Sequence, residues 1–178
     1  NNVMIAQFPG AGFSSTALGP FDRIFTNPGV YRATLTIRDN ITGCASTAEE
    51  EIRVLNKPAP EFTFSTVCEG DPSSFEDAST LTSINGQAIV SREWDMDYDG
   101  TFDPDPSLTN LEDFDYIFPA AGSFDVALRV TTDGGGCAAM VIHTVIVDAI
   151  PIALFSSSTT SGCSVLTVTF TNNSIVGQ

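Results

Sequence analysis

The segment Asn27-Pro28-Gly29-Val30-Tyr31-Arg32-Ala33-Thr34-Leu35-Thr36-Ile37-Arg38 recurs, with changes, as Ala120-Ala121-Gly122-Ser123-Phe124-Asp125-Val126-Ala127-Leu128-Arg129-Val130-Thr131. Gly29 and Gly122 stand 93 residues apart, and so do Phe25 and Phe118, Cys44 and Cys137, and Val54 and Val147. Four landmarks in one phase identify an internal repeat, and a period of ~93 residues is the size of a small β-sandwich domain. A third start follows, because Ala59-Pro60-Glu61-Phe62-Thr63-Phe64 is echoed by Ile150-Pro151-Ile152-Ala153-Leu154-Phe155, and Cys68 by Cys163, 95 residues on.

This phase divides the 178 residues. Residues 57–150 are expected to form one complete unit, 1–56 the C-terminal part of a preceding unit, and 151–178 the N-terminal part of a third. The chain then begins and stops inside units. A piece cut from a longer array is the plain explanation. A chain whose tail completes the next chain's head by strand addition is the other. Short Pro-marked junctions, Lys57-Pro58-Ala59-Pro60 and Asp148-Ala149-Ile150-Pro151, predict units held close together.

Within each unit the apolar residues alternate. Tyr31, Ala33, Leu35 and Ile37 point one way and Arg32, Thr34, Thr36 and Arg38 the other; Phe124, Val126, Leu128 and Val130 repeat the pattern. A period of two is that of a half-buried strand. Each strand runs into a Gly-containing turn and then a second strand ending in Ile52-Arg53-Val54 or Val145-Ile146-Val147, which reads as a hairpin. Further strands are expected at Glu61–Thr66, Ser73–Asp77, Ile89–Met96, Asp115–Phe118 and Val165–Thr171. No sustained helical period occurs. With 42% hydrophobic residues and 13 Phe, an ordered core is available. The expected fold is all-β, with two antiparallel sheets packed face to face.

Charge narrows the function classes. The formal net charge is −15, and residues 57–150, with 17 acids and 3 bases, account for −14 of it. Phosphate-rich partners need clustered Lys and Arg, so nucleic acid and anionic membrane surfaces are poor candidates. No stretch approaches the ~20 apolar residues of a membrane-spanning helix.

The segment Trp94-Asp95-Met96-Asp97-Tyr98-Asp99-Gly100, then Tyr116-Ile117-Phe118, then Ala121-Gly122-Ser123-Phe124-Asp125-Val126-Ala127-Leu128-Arg129-Val130, resembles the PKD (polycystic kidney disease) domain. Met96-Asp97-Tyr98 departs from the commonest form, which has Phe-Gly there. This variant is similar to tandem units of Bacteroidetes surface and gliding adhesins exported by type IX secretion. The resemblance implies immunoglobulin-like antiparallel β-sandwich repeats in tandem, outside the cell. It implies a non-catalytic structural segment of a large secreted cell-surface adhesin or filament. The alternative is an accessory module of a secreted hydrolase that aids attachment to polysaccharide or protein. The implied partners are neighbouring repeats of the same long chain, surface polysaccharide, or another cell-surface protein.

The phase of the cysteines then predicts a disulfide between Cys68 and Cys137, with the partners of Cys44 and Cys163 lying outside the chain. An unstrained bridge would contribute roughly 3–4 kcal/mol and mark an oxidising compartment. Four buried free thiols are the other reading.

Residues 93–115 hold nine acids and no base. Asp95-x-Asp97-x-Asp99-Gly100 has the alternating hard oxygen ligands of the front of a calcium loop, with Asp103 as a further ligand. Position 106 is Pro where an EF-hand needs Glu, so the site would be of another kind. The competing reading is a solvated loop whose Asp95 and Asp99 bond turn backbone, while Trp94 and Met96 face the core. No other cofactor is expected. The single histidine, His143, lies among strand residues and is read as structural, so no catalytic residue is assigned. Asn40-Ile41-Thr42 and Asn172-Asn173-Ser174 match the N-x-S/T triplet, which is common by chance.

Overall fold

Strands separated by Gly- and Asx-closed turns make up the computed structural model. It describes residues 22–39, 41–84, 86–134 and 136–177, with residues 3–8 and 13–15 described as backbone. The Asn40 triplet lies outside the described residues. The strands are β1 (Val3–Phe8), β2 (Phe13–Ser15), β3 (Gly29–Arg38), β4 (Ala45–Val54), β5 (Phe62–Phe64), β6 (Val67–Cys68), β7 (Ser73–Asp77), β8 (Ile89–Asp95), β9 (Asp113–Tyr116), β10 (Gly122–Thr132), β11 (Ala138–Asp148), β12 (Phe155–Ser157) and β13 (Phe170–Asn172). They fall into two compact units: residues 1–58 with 81–89 and 132–137, and residues 59–80 with 90–131 and 138–178.

In the first unit one antiparallel sheet runs in the order β2-β1-β3-β4. β3 and β4 pair from Gly29↔Val54 to Arg38↔Ala45. Their turn is closed by Asp39, whose Oδ1 accepts from the amides of Ile41 at 2.7 Å and Thr42 at 3.2 Å. Those backbone hydrogen bonds hold the Asp39 carboxyl below its ordinary pKa. Gly43 then takes φ 75°, a left-handed conformation that costs a residue without Cβ little.

The second unit holds a four-stranded sheet, β6-β11-β10-β8, and a three-stranded sheet, β5-β7-β9. β10 pairs antiparallel with β11, as do β5 with β7 and β7 with β9, and β6 meets β11 in a two-residue parallel contact. The alternation in the sequence sets which face is buried. Val126, Leu128, Val130 and Val145 are 0% exposed, and Trp94 is too. From the opposite sheet come Phe62, 5.1 Å from Trp94, Phe75 at 6.0 Å and Phe114 at 5.0 Å, all edge-on. The indole Nε1 donates to the Leu111 carbonyl at 3.0 Å, so burial leaves no unpaired donor. Each such fully buried side chain contributes roughly 1.5–3 kcal/mol. This is the all-β sandwich core expected of the alternating pattern, anchored on Trp94.

Two hairpin pairs match in register. β10 and β11 pair from Gly122↔Val147 to Thr131↔Ala138, the β3–β4 pairing moved by 93 residues. β12–β13 likewise repeats β5–β7: Phe62↔Asp77 and Phe64↔Phe75 correspond to Phe155↔Asn172 and Ser157↔Phe170. The bridge Ala59↔Thr80 corresponds to Ile152↔Ile175. The side-chain bond of Ser79 Oγ to the Glu61 carbonyl has its counterpart in Ser174 Oγ to Leu154. β13 is shorter than the expected strand 165–171, because β12 offers a three-residue ladder to pair with.

Candidate functional site

The acidic segment begins where β8 ends. Asp95 is 1% exposed, and both its oxygens are turned inward on backbone. Oδ1 accepts from the Asp97 amide at 3.3 Å and Oδ2 from the Asp103 amide at 2.9 Å. Asp99 Oδ1 accepts from the Thr101 amide at 3.0 Å, and Asp105 Oδ1 from the Ser107 amide at 2.8 Å and hydroxyl at 2.7 Å. The Ser107 bonds hold the Asp105 carboxyl below its ordinary value. These carboxylates shape the loop, as the turn-forming reading expects. Among the described residues no three His, Cys, Asp or Glu side chains are grouped to hold a metal ion. Asp95, Asp97, Asp99 and Asp103 are therefore not assembled as a calcium ligand set. The reason is geometric: the strand ends at Asp95, so the alternation that would align Asp97 and Asp99 with it is lost.

Two of those residues do share a recess. Asp97, Asp103 and Asp105 line a depression of about 140 Å³ with Met96, Tyr116, Phe118 and Phe124. Tyr116 is pushed above its ordinary pKa by burial and then by the negative charges of Asp97 and Asp105. The recess offers acid and aromatic surface. Asp105 and Tyr116 were legible in the sequence only as members of the acidic run and the aromatic landmark.

In the first unit a second recess, about 150 Å³, is lined by Arg53, Leu55, Ile84, Gln87 and Asp133 among others. Gln87 is 6% exposed and clamps the chain here. Its Oε1 accepts from the Asn56 amide at 3.2 Å, and its Nε2 donates to the Asn56 carbonyl at 2.7 Å and to Thr132 Oγ1 at 2.9 Å. Asn56 Nδ2 in turn donates to the Thr82 carbonyl at 2.7 Å. One amide side chain thus pairs with a backbone residue as a neighbouring strand would. No periodicity or motif marked Gln87.

The expected Cys68–Cys137 bridge is not formed in this structure. Cys44, Cys68, Cys137 and Cys163 are all free thiols. Cys68 pairs with Asp148 at the end of β11, whereas Cys137 immediately precedes Ala138 at its start. A strand rising ~3.3 Å per residue separates those ends by roughly 33 Å, far beyond the ~7 Å limit for bridged Cα atoms. The thiols are not buried either: Cys44, Cys68 and Cys163 are exposed and Cys137 is half-buried.

His143 is a strand residue of β11. Its Nε2 meets Glu61 Oε1, and its ring stands edge-on to Phe62 at 4.7 Å. The hydrogen bond from His143, then that from the Phe62 amide, holds Glu61 below its ordinary pKa. No described helix is long and apolar enough to cross a membrane.

No protein-family profile matches the chain, and no curated protein matches it.

Proposed function

We propose that this chain is a non-catalytic structural segment of a large secreted cell-surface adhesin or filament, built from PKD-like, immunoglobulin-like sandwich units in tandem. The observation that carries this reading is the matched register of the two hairpin pairs, displaced by 93 residues in β3–β4 and β10–β11 and repeated in β5–β7 and β12–β13. Hairpins that recur in the same register suit an extended array. The net charge of −15 suits a solvated surface and repels polyanions.

Antibodies raised against the whole chain test the location. They should label intact, unpermeabilised cells of the source organism. Labelling seen only after lysis would sink the proposal.

A further inference from the structure

The geometry points to the acid-and-aromatic recess of the second unit as a binding site for a lysine side chain of a protein partner, its alkyl stem on the aromatic floor and its ammonium at the acidic rim. This goes beyond the structural role proposed above and does not rest on it.

The recess lies wholly within residues 96–124 and holds about 140 Å³. Its floor is apolar, with Met96 and Phe118 4% and 3% exposed. Phe118 stacks on Phe124 with ring centroids 4.6 Å apart and meets Tyr116 edge-on at 5.0 Å. Beside these rings Asp97 and Asp103 are exposed and Asp105 is half-buried. Among the described residues no Lys, Arg or His lines the recess, and none pairs with these three acids. Burial, then the charges of Asp97 and Asp105, raise the Tyr116 pKa, so the negative potential reaches the aromatic wall.

The repeat does without these acids. The ring pair recurs in the first unit as Phe25 and Tyr31, 4.5 Å apart, yet residues 1–21, the stretch ahead of that pair, carry no acid. A metal ion suits the recess poorly. Among the described residues no three carboxylates are grouped to hold one, and a hydrated divalent ion has no use for an apolar floor. A lysine suits both surfaces. Its stem packs on apolar area while its ammonium stays at the wet rim, drawn by the carboxylates and by the ring faces. The balance of −14 over residues 57–150 adds a field that gathers cations.

Titration of the isotope-labelled chain with Nα-acetyl-lysine methylamide, followed by NMR, tests this. The amide signals of Asp97, Asp103 and Tyr116 should shift and saturate in the millimolar range. The same probe acetylated at Nζ keeps the stem and loses the charge, and should leave those signals in place. The loop bonds of Asp97 and Asp103 run from their amides to Asp95, so Asp97→Asn/Asp103→Asn should melt like the parent and bind the lysine probe ~10-fold more weakly. No saturable shift, an equal response to the neutral probe, or undiminished binding by the variant would each overturn the assignment. Stoichiometric displacement of the probe by calcium would overturn it too, by making the recess a metal site. The neutral probe is read on the unaltered protein, and all these measurements use the purified chain, so they stand apart from the surface labelling above.

Discussion

Phe62 and Phe155 occupy the same position of the same hairpin, 93 residues apart, yet one is 3% exposed and the other 73%. Local sequence made both hairpins alike. What differs is the sheet opposite: Phe62 lies against Trp94 and His143. Burial is thus a property of the partner surface, and the predictions below follow from which groups have one.

Arg92 bonds Asp77, whose side chain is 4% exposed, and reaches Glu112 at 2.9 Å. Burial opposes ionisation of Asp77, but the hydrogen bonds from Arg92 and Ser79 outweigh it and hold the carboxyl below its ordinary value of 3.8. The fold therefore binds this proton less readily than the unfolded chain does. The stability it contributes is complete above the unfolded value near 3.8 and is lost as pH falls through the lower native value. Arg92→Met should cost about 3 kcal/mol near neutral pH, because it leaves a buried charge unpaired. It should also flatten the acid limb of stability against pH, measured by urea unfolding.

Asp95 serves two backbone amides, so its carboxylate is structural. Asp95→Ala should lower stability by roughly 2–3 kcal/mol through loss of charge-assisted bonds at a buried position. Thermal melting in EDTA and in millimolar calcium should give the same midpoint. A calcium-dependent rise would show that the acidic loop gathers ligands after all.

Gln87→Leu should leave the Asn56 amide and carbonyl without their partner and cost roughly 2 kcal/mol. Hydrogen exchange at the Asn56 amide should accelerate. Unchanged protection there would mean that the surrounding chain, not Gln87, holds Asn56.

Thiol titration of the folded protein should find four reactive groups. Cys44, Cys68 and Cys163 should react fast and Cys137 more slowly, in the order of their exposure. Reducing agent should leave the melting midpoint unchanged; a midpoint that falls on reduction would reveal a bridge.

Much of the architecture was legible because strands are periodic. The alternation in β10 names Val126, Leu128 and Val130 as buried but not Ala127, which is 0% exposed as well, and Trp94 and Met96 lie inward as their pattern requires, at 0% and 4% exposure. That the β10–β11 hairpin repeats β3–β4 was legible in the repeated Gly, Cys and Val landmarks. Less could be read where the period stops. Asp97 and Asp99 lie beyond the last residue of β8, so alternation no longer says where they point. Cys68 and Cys137 share a unit in sequence phase, but the parallel contact of β6 with the far end of β11 separates them.

The sequence by itself determined the all-β alternation and the 93-residue phase, because both are patterns written along the chain. Only the tertiary structure decided that Gln87 pairs with Asn56, that Asp95 turns onto backbone amides, and that Phe155 stays uncovered where Phe62 does not. Those outcomes depend on which distant segments meet, and no local period encodes that.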